Sequence, residues 1–90
     1  MISSKLRKII KGCAEDFQVK SVWLFGSALA DETKAMDIDL AVEGLDSDKF
    51  FEFYGQLFLE LPKPVDLVDL SQEPPIAIIV RKKGVCIYER

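Results

Sequence analysis

Residues Val22-Trp23-Leu24-Phe25-Gly26-Ser27, followed after nine residues by Asp37-Ile38-Asp39-Leu40-Ala41-Val42, decide how this chain is read. The first run is β-branched and aromatic, the composition of a half-buried strand, and it ends in a Gly-Ser turn. The second opens with two aspartates one residue apart. Side chains alternate faces along a strand, so Asp37 and Asp39 project to one side while Ile38 and Leu40 project to the other. Carboxylates held that close repel unless a cation sits between them, and a divalent metal is the usual one. A Gly-Ser turn offers bare backbone N–H groups and a hydroxyl, the donors a phosphate needs. Metal ligands beside a phosphate cradle point to chemistry on a nucleotide.

Upstream, Ser3 or Ser4 caps a helix whose Leu6, Ile9, Ile10, Cys13, Ala14 and Phe17 share one face, and a strand then runs from about Val19 to Phe25. A short helical turn near Ala28 to Asp31, capped by Ser27, leads through a loop to the second strand, Asp37 to Val42, which Glu43-Gly44 ends. Downstream, Asp46 or Ser47 caps a helix bearing Phe50, Phe51, Phe53, Tyr54, Leu57, Phe58 and Leu61. Its apolar face is unusually wide. Burial in this domain's own core is the favoured reading, and cover by a partner is the other. Pro62-Lys63-Pro64 breaks that helix, and Val65-Asp66-Leu67-Val68-Asp69-Leu70 reads as a third strand. Ser71 to Pro75 opens a last helix with prolines in its first turn; Ile76, Ile79 and Val80 face inward and Gly84 stops it. Val85 to Tyr88 closes the chain as a strand. The pattern α-β-α-β-α-β-α-β predicts one layered α/β domain spanning residues 1–90.

Ninety residues allow one core and little else. The lysine-studded start does not resemble a signal peptide, and no run approaches the roughly 20 apolar residues of a membrane span, so a cytoplasmic location is expected. Cys13 and Cys86, far apart and without paired spacing, read as reduced thiols. With no histidine, a metal would be held by oxygen ligands, which favours magnesium or manganese over zinc. The net charge is −3. Acids dominate from Asp31 to Glu73, while Lys5, Arg7, Lys8 and Lys11 crowd the first helix. That acidic middle argues against a general DNA- or RNA-binding surface and suits a metal site or a basic protein partner.

Asp66 is the natural third carboxylate, from a neighbouring strand; together with Asp37 and Asp39 it could hold two magnesium ions. Gly26-Ser27 followed at this spacing by Asp37-Ile38-Asp39 resembles the signature of the nucleotidyltransferase superfamily. The runs Val22 to Ser27, Met36 to Val42, Val65 to Leu70 and Pro74-Pro75 through Glu89 all resemble the minimal nucleotidyltransferases, so the likeness covers essentially the whole chain. The resemblance implies the polymerase β-like fold, a small mixed β-sheet with flanking helices. Members of this family are commonly encoded beside a helical HEPN-domain ribonuclease, with which they form a toxin–antitoxin pair. Their characterised chemistry is magnesium-dependent transfer of AMP from ATP to a tyrosine of the toxin. Carried over by position, Gly26 and Ser27 hold the phosphates, Asp37 and Asp39 bind the metals, and Asp66 completes the metal site and activates the acceptor hydroxyl.

Two positions depart from the family pattern. An arginine and a glycine usually follow the Gly-Ser, where this chain has Ala28-Leu29-Ala30-Asp31, and a serine often precedes the first metal aspartate, where Met36 stands. Lys34 is the loop's own candidate for the missing phosphate cation. Two alternatives therefore stand beside the active enzyme. One is a weakened member that neutralises its toxin by stoichiometric binding. The other is the nucleotide-binding half of a two-protein transferase. Asp69 lies at an odd offset from Asp66, so it reads as a surface or loop residue, not a ligand.

Overall fold

A computed structural model describes residues 3–26 and 36–90. Along the chain run α1 (Ser4–Asp16), β1 (Ser21–Phe25), β2 (Ile38–Glu43), α2 (Phe50–Glu60), β3 (Val65–Asp69), α3 (Ala77–Lys83) and β4 (Val85–Glu89), with 3-10 turns at Ser47–Lys49 and Leu70–Gln72. The strands form one mixed sheet in the order β3-β2-β1-β4. β1 is antiparallel to both β2 and β4, and β2 is parallel to β3. A parallel pair needs a crossover to bring the chain back, and α2 is that crossover.

Period-two alternation gives the sheet two apolar faces. Val22, Leu24, Ile38, Leu40, Val42 and Ile87 point to one side, where Leu6, Ile10, Cys13 and Ala14 of α1 and Phe53 and Leu57 of α2 cover them. Ala41, with Trp23, Phe25 and Val68 beside it, points to the other side and packs under Leu70 and under Ala77 and Val80 of α3. Ser3 caps α1 by accepting a hydrogen bond from the Leu6 N–H at 3.2 Å. Asp46 caps the turn that leads into α2.

Element boundaries shift from the sequence expectation where turn chemistry intervenes. Gln18 is left-handed at φ 55°, so fully buried Val19 precedes the ladder and does not join it. β2 begins at Ile38, leaving Asp37 at the strand's lip. Pro74 and Pro75 lie in the turn before α3, closed by the Ala77 N–H to the Pro74 carbonyl, and not in its first turn. Val80 is buried and Ile76 packs beside it as expected, but Ala77 takes the inward place expected of Ile79, which is exposed. Gly84 does stop α3, its backbone turning extended at ψ 167°, and a Cβ there would sit 2.5 Å from the Val80 carbonyl oxygen. The expected helical turn from Ala28 to Asp31, with Ser27 and Lys34, falls outside the described residues.

The favoured reading of the wide α2 face as core holds for only half of it. Phe53 and Leu57 are buried, and Phe50 and Tyr54 pack at the margin, but Phe51, Phe58 and Leu59 are exposed. One helix lying on a sheet buries a single stripe, and among the described residues this wide apolar arc meets no second layer.

At the end of the sheet where β2 leaves, Trp23 Nε1 donates to Ser21 Oγ at 3.1 Å, and the buried Ser21 hydroxyl donates to Glu43 at 3.1 Å. Arg81 of α3 reaches Glu73 at 2.9 Å and Glu43 at 3.9 Å, tying α3 to the same end. Both cysteines are free. Burial first, then the adjoining Glu60 carboxylate that accepts its hydrogen bond at 3.2 Å, push the Cys13 thiol up to about 12. Cys13 therefore stays protonated and unreactive in the folded chain. Among the described residues, no helix is long and apolar enough to cross a membrane.

Candidate active site

Strand pairing brings the sequence-predicted residues together at the opposite end of the sheet from Glu43. Phe25 pairs with Asp39 across β1 and β2, so the Gly26 turn lies beside Asp39. Asp39 in turn pairs with Asp66 across the parallel β2 and β3. Neighbouring strands lie about 4.8 Å apart. Asp39 shares its face with Ala41, and Asp66 shares its face with Val68; both apolar residues belong to the cluster under α3, so the two carboxylates emerge on the same side. Asp37, two residues before Asp39, is exposed at the lip of that face.

Two hydrogen bonds hold this corner. The Ile38 N–H donates to the Pro64 carbonyl at 2.9 Å, which stitches the start of β2 to the entry of β3. The Tyr54 hydroxyl donates to the Val65 carbonyl at 2.6 Å, which pins the residue before Asp66 to α2. The sequence reading left Tyr54 among the core aromatics. Its signal was a hydroxyl on an otherwise apolar stripe, a group that takes a partner when half-buried.

Gly26 is left-handed, with φ +77°, and a Cβ added to it would penetrate the Asp39 Oδ2 atom. The turn backbone thus lies directly against the carboxylate. A glycine is required here twice over, for its φ and for its lack of a side chain.

Asp39 is the electrostatic centre of the group. Its carboxyl is raised above the ordinary 3.8, first by partial burial, then by the charge of Asp66, then by that of Asp37. Both neighbours are thus close enough to oppose its ionisation, the condition that a bound cation would reverse. Among the described residues, no three acidic or thiol side chains close into a cage able to hold a metal ion alone. The all-oxygen donor set and open arrangement fit magnesium, which is bound by one or two carboxylates with substrate phosphates completing its shell.

Asp69 has another task, in agreement with its odd offset. Its carboxylate accepts the Ser71 N–H at 2.9 Å and caps the turn after β3. Asp69→Ala is expected to lower unfolding stability by about 1 kcal/mol while leaving the Asp39 corner intact. Urea denaturation alongside a transfer assay checks both halves; a loss of activity exceeding the loss of folded protein would contradict the assignment.

The sequence matches the family profile described as polymerase beta, nucleotidyltransferase over residues 7–90, nearly its whole length. The chain belongs to the polymerase beta nucleotidyltransferase family. Among solved structures, a toxin–antitoxin crystallised with AMP-PNP is 26% identical, with a TM-score of 0.74 over 93% of this chain and 73% of that one. The toxin–antitoxin MntA–HepT gives 23% identity and a TM-score of 0.73 over 98% of this chain and 74% of the other. A complex of a tri-AMPylated Shewanella oneidensis HEPN toxin with its MNT antitoxin gives 24% and 0.75 over 99% and 74%. Among curated proteins, no sequence matches significantly. The mixed sheet with flanking helices is therefore the fold of minimal nucleotidyltransferases, as the Gly-Ser and Asp-x-Asp spacing implied.

Proposed function

We propose that this chain is a cytoplasmic, single-domain antitoxin that transfers AMP from ATP to a tyrosine of a HEPN-domain ribonuclease, using magnesium. The observation carrying this reading is the register that sets Asp39 beside Asp66 on one face, with Asp37 at the lip and the Gly26 turn pressed against Asp39. Solved relatives bound to AMP-PNP, and to an AMPylated HEPN toxin, support the nucleotide and the partner.

In this reading Gly26 and Ser27 present backbone N–H groups and a hydroxyl to the phosphates. Asp37, Asp39 and Asp66 would hold two magnesium ions, which would supply positive charge to the phosphates and the departing pyrophosphate. Asp66, at the exposed start of β3, also takes the proton of the acceptor hydroxyl. The tyrosine oxygen bonds to the α-phosphorus, the bond from that phosphorus to the bridging oxygen breaks, and pyrophosphate leaves. Position and charge supply most of what such a transfer needs from a protein.

A second reading is favoured by the uncovered α2 face and by the absence of an arginine after Ser27: neutralisation by binding alone. Intact-mass measurement of the HEPN-domain protein after incubation with the chain, ATP and magnesium separates the two. AMP adducts with falling ribonuclease activity are expected. Falling ribonuclease activity without adducts would leave only the binding reading.

A further inference from the structure

Asp66 stands second in β3, an outer strand of the sheet. Edge strands fray at their ends, yet a metal ligand has to be held to within about 0.5 Å and 10–20°. The approach to β3 offers little to hold it with. Pro62 and Pro64 carry no N–H, so neither can donate to a neighbour.

The two carbonyls ahead of Asp66 are tethered instead. The Pro64 carbonyl accepts the Ile38 N–H at 2.9 Å and so points inward, to β2. Successive carbonyls along a strand point to opposite sides, so the Val65 carbonyl points outward, where among the described residues no further strand pairs with β3. The Tyr54 hydroxyl meets it there at 2.6 Å, a short hydrogen bond. A trans peptide is planar, so the bond that holds the Val65 carbonyl out also turns the Asp66 N–H in towards β2. It thereby fixes the plane from which the Asp66 side chain leaves.

α2 carries Phe50, Phe51, Phe53 and Phe58 besides Tyr54, and its one hydroxylated ring is the one whose tip reaches β3. Packing alone does not ask for that hydroxyl. The Tyr54 ring lies edge-on to Phe50 with centroids 6.1 Å apart, a contact that a phenylalanine would make equally well.

We propose that Tyr54 is a positioning residue for Asp66: through the Val65–Asp66 peptide, its hydroxyl sets where the third carboxylate stands beside Asp39. This rests on the metal–nucleotide reading of the corner and deepens it. Tyr54 packs on the α2 side of the sheet, and Asp66 projects from the other face with Val68. Tyr54 therefore acts through the strand and not on the nucleotide.

The test is calorimetric titration of the chain alone with AMP-PNP over a series of magnesium concentrations. Wild type is run beside Tyr54→Phe and Phe53→Leu, and binding is counted per folded chain from urea denaturation of each. Tyr54→Phe removes the hydroxyl and keeps the ring. Phe53→Leu weakens the packing of the same helix on Phe17 and leaves the hydroxyl in place. Tyr54→Phe is expected to need about tenfold more magnesium for half-saturation, the loss usual when a group that orients a metal ligand is removed. Phe53→Leu, though less stable, keeps the wild-type requirement. A wild-type requirement in Tyr54→Phe would overturn the positioning role and leave the site reading standing. An equal shift in Phe53→Leu would also overturn it, by tracing the effect to loosened packing. Wild type that binds AMP-PNP equally with and without magnesium would overturn the site reading and this inference together.

Discussion

Asp39→Asn will lower AMP transfer by on the order of 10³-fold, about 4 kcal/mol of transition-state stabilisation, while making the free protein more stable. Both effects come from the same crowding. Asp39 sits beside Asp66 and near Asp37, and its carboxyl is held above the ordinary 3.8 by burial and by those two charges. A carboxyl raised in the folded state binds its proton more tightly folded than unfolded. Its favourable contribution is therefore full below 3.8 and is lost as pH rises through the higher folded value. Asparagine carries no charge to lose. Wild type should lose stability relative to Asp39→Asn across that interval and stay behind it at neutral pH, as followed by urea denaturation at a series of pH values. Such a residue is retained at a cost to the free fold, the mark of a group whose charge is compensated only when ligand is bound.

Gly26→Ala will also abolish most transfer, by at least about 100-fold, but with the opposite sign on stability. The new methyl has no room: it would occupy the position of Asp39 Oδ2, and the backbone at φ +77° disfavours any L side chain. Backbone strain alone costs about 1–2 kcal/mol, and the displaced carboxylate accounts for the activity. The two causes separate in a double-mutant cycle. In an Asp39→Ala background the oxygen that collides is gone, and the stability loss from Gly26→Ala should shrink toward the strain term. If the loss is the same in both backgrounds, the close approach between turn and carboxylate is not what requires glycine.

Much of this corner was legible in the sequence because it is built from short-range rules. Period-two alternation put Asp37 and Asp39 on one face and sent Asp69 to the other, and Gly26-Ser27 announced a turn. Asp66 stood out as a carboxylate in an otherwise mostly apolar strand, and the resemblance then supplied the mixed sheet. Features that depend on how elements meet were less legible. Tyr54 reads as one more aromatic on a helix, and only the packing of α2 against β3 aims its hydroxyl at the Val65 carbonyl. On α3, Val80 is buried and Ile76 packs against the same cluster as expected, but Ile79 is exposed and Ala77 holds the inward place instead, a choice set by how the helix meets the sheet. The width of the apolar arc on α2 was visible from the start. Its exposure was not, since periodicity cannot say which part of a wide arc the rest of the fold will cover, and among the described residues Phe51 and Leu59 are left exposed.

In the reading proposed above, Asp37, Asp39 and Asp66 form one metal–nucleotide site. Calorimetric titration of the chain alone with AMP-PNP, in magnesium and in chelator, tests it most directly. Binding in magnesium that disappears in chelator, and in Asp39→Asn and Asp66→Asn alike, is the predicted result. Equal binding with and without magnesium, or binding that both variants retain, would contradict it.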